Sequence, residues 1–217
     1  MAPTDPRQLA IAKASWDFSE MWIAEDSARA TARVRAAEVG CPVVSNGVGS
    51  ALRMLATAVQ ASAVVEIGTG AGISALWLLE GMTTDGVLTS IDSEAEHQLI
   101  ARDTLAESDF QASRVRLING KVDEVLSRLS ESAYDIVLIS GRVMELESQI
   151  HSAMTLLRSG GLLLIDRALW HDRVADPSAR DDETVAMRSA LSLLAASENW
   201  VCSLLPVGAG LLVCVKK

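Results

Sequence analysis

Three glycines at alternate positions, Gly68, Gly70 and Gly72, constrain the fold of this chain more than any other feature. They follow the apolar run Ala63–Ile67 and precede the apolar run Ile73–Met82. Glycine adopts backbone conformations that other residues avoid, so this order predicts a strand, a tight turn and a helix. The backbone N–H groups at the start of such a helix are open to a ligand. We therefore expect a ligand to lie against the turn.

Apolar segments of strand length alternate with helical segments along most of the chain. The predicted strands are Ala63–Ile67, Val87–Ile91, Arg114–Ile118, Tyr134–Ile139 and Leu162–Ile165. The predicted helices are Ile73–Met82, Glu94–Ser108, Val122–Leu129, Val143–Leu157 and Asp182–Ala196. This alternation predicts an α/β fold with a mostly parallel sheet, helices on both faces and a ligand at the carboxyl ends of the strands.

The two ends of the chain depart from this alternation. Residues 9–39 are predicted to form one or two helices. The last β-rich segments, Trp200–Leu205 and Leu211–Val215, flank a short glycine-containing turn and predict an antiparallel hairpin. We expect an N-terminal helical extension over residues 1–40 and one α/β domain over residues 41–217.

Two carboxylates beside the glycine turn indicate which ligand it binds. Glu66 ends the first predicted strand, and a carboxylate there would repel a pyrophosphate but attract an ammonium group. Asp92 follows the next strand and can accept hydrogen bonds from both hydroxyls of a ribose. Ile73 replaces the last glycine of the dinucleotide fingerprint. These features favour S-adenosylmethionine (SAM); the alternative is a turn that only packs the helix on the strand.

Charge and composition argue against several partners. The net charge of −9 is unsuited to a sequence-independent contact with nucleic acid. No apolar segment approaches the length of a membrane span, and the first residues lack the pattern of a signal peptide. The cysteines, Cys41, Cys202 and Cys214, are few and odd in number, which favours reduced thiols in the core of a cytoplasmic protein.

Several motifs together resemble those of the catechol/caffeoyl-CoA type of bacterial O-methyltransferase. They are Val65–Gly70, Ser74, Ile91–Asp92, Tyr134–Ile139, Leu157–Gly161 and Val174–Pro177. The resemblance implies a Rossmann-like class I methyltransferase fold with a seven-stranded sheet. It also implies a homodimer that transfers a methyl group from SAM to an oxygen of a small-molecule acceptor. In such proteins the N-terminal helices cover the acceptor site and contribute to the dimer contact.

The resemblance further implies which residues contact the cofactor. They are Val44, Glu66, Gly68, Thr69, Gly70, Ser74, Asp92 and Val122. For Val44 and Val122, packing in the core is an equally good interpretation. For Glu66 and Asp92 it is not, because a buried carboxylate without partners is unfavourable.

The chain departs from this family where the family binds a divalent ion. After the fourth and fifth predicted strands it reads Ser140–Val143 and Asp166-Arg167, so Asp166 alone keeps a carboxylate ligand. Mg²⁺ prefers carboxylate oxygens, and a guanidinium is itself a cation that cannot ligate one. We therefore expect no divalent metal. We hypothesise that Arg142 and Arg167 supply part of the missing positive charge; the alternative is that both are surface arginines.

Ser140, Asp166 and His171 are the remaining candidates for catalysis. Asp166 or His171 would take the proton of the acceptor, although a solvated loop histidine is a second interpretation of His171. His97 and His151 are expected on helix surfaces. Two other functions remain open at this point: a SAM-binding homologue without catalysis that acts as a sensor or partner protein, and a nicotinamide-dependent dehydrogenase.

Overall fold

The computed structural model describes residues 5–217, apart from the side chain of Leu9, and residues 1–4 of the predicted extension lie outside it. The helices are α1 Pro6–Met21, α2 Ser27–Glu38, α3 Asn46–Ala58, α4 Ile73–Gly81, α5 Ala95–Ala106, α6 Val122–Leu126, α7 Leu146–Leu156 and α8 Asp182–Ala196. The strands are β1 Ala63–Ile67, β2 Val87–Asp92, β3 Val115–Asn119, β4 Tyr134–Ile139, β5 Leu157–Asp166, β6 Trp200–Leu205 and β7 Leu211–Lys216.

All seven strands form one sheet in the order β3-β2-β1-β4-β5-β7-β6. In this sheet β1 lies between β2 and β4 and is parallel to both, so that Val64 is level with Leu88 on one side and Ile136 on the other. The last strand, β7, runs antiparallel to β5 and β6. Successive connections leave the sheet in opposite directions on either side of β1 and β4, which opens a crevice at their carboxyl ends. The predicted fold class is confirmed.

Alternate residues of the central strands face two hydrophobic cores. Val65 and Val137 pack with residues of α6, α7 and α8, whereas Val64 and Ile136 pack with residues of α3 and α4. All four side chains are fully buried. Burying one such side chain stabilises the fold by about 1.5–3 kcal/mol. Both faces of the sheet are therefore closed, and the carboxyl edge is the part of the sheet that a ligand can reach.

Helix α2 is attached to the domain through a buried arginine. The guanidinium of Arg29 lies 4.1 Å over the ring of Trp77 in α4. It donates hydrogen bonds to the carbonyl of Leu76 at 3.0 Å and to the carboxylate of Glu80 at 2.6 Å. The arginine side chain is only 5% exposed. This part of the predicted extension thus packs as an integral layer on α4.

Helix α1 is attached much less firmly. The buried carboxylate of Glu20 accepts hydrogen bonds from the backbone N–H of Gly47 at 2.9 Å and of Gly208 at 2.7 Å. These bonds join α1 to the start of α3 and to the turn between β6 and β7. Phe18 and Met21, in contrast, are exposed. The helix therefore presents an apolar surface to solvent.

Two local expectations differ from the structure. The helix predicted at Val143–Leu157 begins at Leu146, after a short 3-10 turn, and Leu157 already belongs to β5.

The prediction of reduced thiols is wrong for Cys202 and Cys214, which form a disulfide. They are directly opposite each other in the β6–β7 pair, a register that composition alone could not reveal. Cys41 is a buried free thiol.

In the part of the chain that the structure describes, no helix combines the length and the apolar character that crossing a bilayer requires.

Candidate active site

A cavity of about 470 Å³ opens at the carboxyl ends of β1, β2, β4 and β5. We call it the edge cavity. Its wall includes Gly68–Ala71 after β1, Asp92–Glu94 at the end of β2, Ser140–Glu145 after β4 and Asp166–Arg167 at the end of β5. Small-molecule sites typically enclose roughly 300–1,000 Å³. The edge cavity is thus large enough for a cofactor and a small acceptor side by side.

The glycine turn forms one side of the edge cavity with its bare backbone. Gly68, Gly70 and Gly72 have φ values of +92°, +52° and +82°, in the left-handed region. A Cβ atom on Gly68 would lie 2.9 Å from the carbonyl carbon of Ser140. A side chain at this position would therefore collide with the segment after β4. The glycines let the two segments meet. Their own N–H groups are bonded within the protein, to Ile91, Asp92 and Thr69.

Glu66 lies behind this turn and does not line the edge cavity. It is fully buried, and its carboxylate accepts hydrogen bonds from the hydroxyls of Ser74 and Ser90, both at 2.5 Å. Burial raises the pKa of Glu66 to about 7, although both hydroxyls lower it. Ser74 does line the cavity. We expected Glu66 to face an ammonium group directly; in the structure its carboxylate is connected to the cavity only through Ser74.

Asp92 is placed in the edge cavity as predicted. Its carboxylate accepts a hydrogen bond from the N–H of Gly70 at 3.0 Å and another from the N–H of Glu94 at 2.9 Å. These bonds fix the orientation of the side chain. The Nδ1 atom of His97 lies 3.5 Å from one carboxylate oxygen, and His97 also lines the cavity. We expected His97 on a helix surface, and its spacing from Asp92 carried no signal of this contact.

The other predicted cofactor residues have mixed surroundings. Val44 and Val122 line the edge cavity and also pack in the hydrophobic cores, so their contact with the cofactor stays a prediction. Thr69 is buried, and its hydroxyl oxygen accepts hydrogen bonds from Ser90 at 2.7 Å and from Gln98 at 2.9 Å. The Thr69 side chain therefore stabilises the turn, while its backbone faces the cavity.

Asp166 and Arg167 lie together at the far end of the edge cavity. The guanidinium Nη2 of Arg167 donates to the carbonyl oxygen of Ser140 at 2.5 Å, and to that of Gly141 at 3.4 Å. Its Nε atom lies 3.7 Å from a carboxylate oxygen of Asp166. Burial raises the pKa of Asp166, while the charge and the backbone N–H of Arg167 lower it. This end therefore holds a fixed cation next to a carboxylate that readily takes a proton.

The residues at this end do not fit a divalent ion. The guanidinium of Arg167 is bonded to the carbonyls of Ser140 and Gly141, and its Nε atom lies 3.7 Å from Asp166. A cation thus already lies beside the carboxylate that an ion at the ends of β4 and β5 would use. The hydroxyl of Ser140 is a weak ligand compared with a carboxylate. Within residues 5–217, no three His, Cys, Asp or Glu side chains are grouped in a way that could hold a metal.

Two other predicted catalytic residues lie away from this centre. The side chain of Arg142 is 78% exposed at the rim of the cavity, and its Nε atom is 4.0 Å from Glu145. His171 is exposed and does not line the cavity. Its ring lies 5.5 Å from that of Trp170, which does line it. The structure brings Ser140, Asp166 and Arg167 together, leaves Arg142 at the exposed rim of the cavity and places His171 outside it.

The structure also shows a buried amide that the sequence did not indicate. Gln149, in the first turn of α7, is fully buried and lines the edge cavity. Within residues 5–217, neither its Oε1 atom nor the hydroxyl of Ser140 has a hydrogen-bond partner. Buried polar groups are normally paired, so these two groups are suited to bonding a ligand. Six of the eleven residues of α7 are polar, so the sequence carries no signal that distinguishes Gln149.

The family model for O-methyltransferases matches residues 14–217. The chain belongs to the O-methyltransferase family. The prediction from the motifs is thereby confirmed, and the two alternatives, a silent SAM-binding homologue and a dehydrogenase, are not favoured.

Named relatives of this O-methyltransferase agree with that assignment. A Mycobacterium tuberculosis protein named "probable O-methyltransferase" is 44% identical over 201 residues, which cover 93% of this chain and 90% of that protein. The crystal structure of a Corynebacterium glutamicum protein is 32% identical, with a TM-score of 0.86, and covers 95% of this chain and 97% of its own. The O-methyltransferase TomG from Streptomyces achromogenes, involved in tomaymycin synthesis and solved in complex with SAM, is 26% identical with a TM-score of 0.83, covering 92% and 94% of the two chains.

Proposed function

We propose that this O-methyltransferase transfers the methyl group of SAM to an oxygen of a small-molecule acceptor. The observation that carries the proposal is the division of the edge cavity into two ends. The glycine turn and Asp92 form one end, and Asp166 with Arg167 forms the other. TomG, of similar fold, binds SAM. One cavity therefore offers a site for the donor next to a site with a base for the acceptor.

The donor end is suited to each part of SAM. Asp92 offers carboxylate oxygens to the ribose hydroxyls. The open N–H groups at the start of α4, where Gly72 provides no side-chain cap, suit the carboxylate of the amino-acid part. Ser74, held by the buried Glu66, lies where that part would end. Val122 lies at the start of α6 and suits the adenine.

Methyl transfer requires no covalent bond between the protein and the reactants. The acceptor oxygen forms a bond to the methyl carbon, the bond from carbon to sulfur breaks, and its electron pair remains on sulfur. The proton of the acceptor passes to the carboxylate of Asp166, whose pKa is raised by burial. The protein must align oxygen and methyl at about 3–3.5 Å. We propose that this reaction uses no divalent metal, because the cation of Arg167 lies beside Asp166, the carboxylate ligand that the chain keeps.

We further propose that the protein is a homodimer in which the N-terminal extension contributes the contact. Support comes from α1, where Trp16 is 45%, Phe18 70% and Met21 72% exposed, and from Trp22 directly after it, 73% exposed. Large apolar patches on a protein surface generally mark an interface. A second copy of the chain would cover these side chains.

A cytoplasmic location without nucleic-acid partners is also part of the proposal. The net charge of −9 and the free thiol of Cys41 support it. The disulfide between Cys202 and Cys214 counts against this location, because disulfides are rare in the cytoplasm.

Isothermal titration with S-adenosylhomocysteine (SAH), and with NAD as control, tests the donor site. We expect saturable binding of SAH and none of NAD. A panel of phenols, catechols and carboxylic acids is then incubated with SAM, with and without EDTA, and SAH formation is followed. Turnover of at least one acceptor in EDTA supports the whole proposal. Absence of SAH binding refutes it, and activity that EDTA abolishes refutes the metal-free part alone.

A further inference from the structure

The guanidinium of Arg167 is held in place on one side and open on the other. Nη2 is bonded to the carbonyls of Ser140 and Gly141, and Nε faces Asp166. In the part of the chain that the structure describes, no protein group accepts a hydrogen bond from Nη1. The side chain is 20% exposed and lines the edge cavity. Two N–H donors of a fixed cation are thus available at the acceptor end.

The backbone of Arg167 is held in a conformation that arginine rarely adopts. Its φ is +58°, in the left-handed region. The next residues fix this geometry, because the N–H of Ala168 donates to Gly210 at 2.9 Å and that of Leu169 to Ala209 at 2.9 Å. Such strain costs of order 1–3 kcal/mol and persists where the surrounding structure enforces it, often at functional sites. The strained position directs the guanidinium back across the ends of β4 and β5.

We propose that Arg167 is a catalytic residue and that its guanidinium, through Nη1, holds the acceptor oxygen as it loses its proton. The inference rests on the proposed function. Before the reaction, the cation of Arg167 faces the carboxylate of Asp166 at 3.7 Å. When the proton moves to Asp166, the negative charge moves from that carboxylate to the acceptor oxygen. Arg167 then attracts the new anion, so one fixed cation serves both states without any rearrangement.

Arg167→Gly with chemical rescue is the sharpest test. Glycine accepts a φ of +58° without strain, so this variant is expected to fold and to leave a space of guanidinium shape. We expect kcat to fall on the order of 100-fold or more, as for loss of one preorganised donor to an oxyanion. Millimolar guanidinium chloride should restore part of the activity, whereas urea, of the same shape but uncharged, should not. SAH affinity should change by less than a factor of about three. Arg102→Gly, at an exposed helix position outside the cavity, is the matched control.

The pH profile separates a catalytic role from a structural one. In Arg167→Met, the pH at which kcat reaches half its maximum should rise by about 1 or more, because the bound acceptor oxygen loses its cationic partner. Arg167→Lys should retain an intermediate value. A variant that only loosened the loop would lower activity at every pH alike. Unchanged turnover in Arg167→Gly, or equal rescue by urea, overturns the inference.

Binding of Mn²⁺ tests, without any turnover, whether the guanidinium of Arg167 occupies the place of a cation at the acceptor end. Wild-type protein with SAH should give no saturable Mn²⁺ signal by electron paramagnetic resonance. Ser140→Asp/Arg167→Asn removes the guanidinium and adds two oxygen donors beside Asp166, and should bind Mn²⁺. Mn²⁺ bound in the wild-type edge cavity would show that the guanidinium of Arg167 does not occupy the place of a cation there. No gain of Mn²⁺ binding in the double variant would count against it in the same way. If no acceptor in the panel is turned over, the proposed function fails instead, and this binding result still decides on Arg167.

Discussion

A single carboxylate, Glu66, sets the character of the donor end although it never reaches the cavity. Its side chain is fully buried and bonded to two serine hydroxyls. Burial raises its pKa to about 7. A carboxyl group in that state holds or releases its proton in the pH range in which the enzyme would work.

The titration of Glu66 makes stability depend on pH. Its ordinary pKa is 4.5 and its folded value about 7, so between these values the folded protein keeps a proton that the unfolded chain has released. The free energy of unfolding therefore falls as the pH rises through this window, by up to about 3 kcal/mol. Urea denaturation of wild type and Glu66→Gln from pH 4.5 to 8 measures it. The free energy of unfolding of the wild type minus that of the variant should decrease, or change sign in favour of the variant, as the pH rises. The same difference at every pH would contradict this expectation.

Asp92 should matter to cofactor affinity through its charge. Asp92→Asn keeps the shape and one oxygen acceptor but loses the negative charge toward the ribose hydroxyls. Hydrogen bonds to charged groups contribute about 1.5–3 kcal/mol, so SAH affinity should fall on the order of 10- to 100-fold. Calorimetry measures the affinity for SAH. Asp103→Asn, at an exposed acid of the neighbouring helix α5, is the control. Equal affinities of all three proteins would remove Asp92 from the cofactor site.

At the scale of elements, the loop after β5 is the most unusual segment. Trp170, His171 and Asp172 have φ values of +47°, +54° and +62°, so three consecutive non-glycine residues adopt the left-handed conformation. Each such residue costs roughly 1–2 kcal/mol relative to the right-handed form. The loop thus stores strain directly beside Asp166 and Arg167.

Relief of that strain should stabilise the protein. Asp172 makes no side-chain cap bond to the 3-10 turn that follows it, so Asp172→Gly removes a Cβ penalty and no interaction. After the entropic cost of glycine, a net gain of about 0.5–1 kcal/mol is expected, or a few degrees in Tm. Differential scanning calorimetry measures it. Asp172→Ala, which keeps the strain, should show no gain, and a gain equal to that of glycine would point to another cause.

The disulfide between Cys202 and Cys214 belongs to this scale as well, because it joins β6 to β7. The residues are separated by 12 positions, and closing a loop of that size stabilises by about 3 kcal/mol in the chain-entropy model. Thiol titration of denatured protein without reductant should find only Cys41 reactive, and with reductant all three cysteines. Reduction should also lower the urea midpoint. Three reactive thiols before reduction would show that the bond does not form.

The sequence predicted the elements, and the position of the glycine turn and Asp92 at one edge of the sheet, because those features are local. The glycines at 68, 70 and 72 and the acid at 92 follow directly from strand ends, and a parallel sheet brings strand ends to one edge. Side-chain direction is not local. Nothing in the order of residues shows that Glu66 turns away from the cavity, that His97 reaches Asp92, or that Arg167 folds back onto Ser140, since these depend on φ values and on packing between distant segments.

At the scale of the whole molecule, the two N-terminal helices behave differently. Helix α2 is fixed by the buried guanidinium of Arg29 stacked on Trp77. Helix α1 is joined through Glu20, and several of its large apolar side chains are exposed. Helices in proteins gain most of their stability from burying apolar side chains, and residues 5–217 of one chain leave several of those of α1 exposed. A second chain supplies the missing surface in the proposed homodimer.

Charge placed on α1 should therefore separate the two copies. Phe18 and Trp22 are 70% and 73% exposed, so Phe18→Glu/Trp22→Glu removes apolar contact from the proposed interface without disturbing the core of the monomer. Light scattering should give about twice the chain mass of 23.1 kDa for the wild type and about one chain mass for the variant, with unchanged circular dichroism. Leu99→Glu, at a residue 61% exposed on α5, is the matched control and should remain dimeric. A monomeric wild type refutes the dimer. A variant that stays dimeric places the interface elsewhere, because two buried carboxylates facing an apolar partner could not be accommodated without a large loss of affinity.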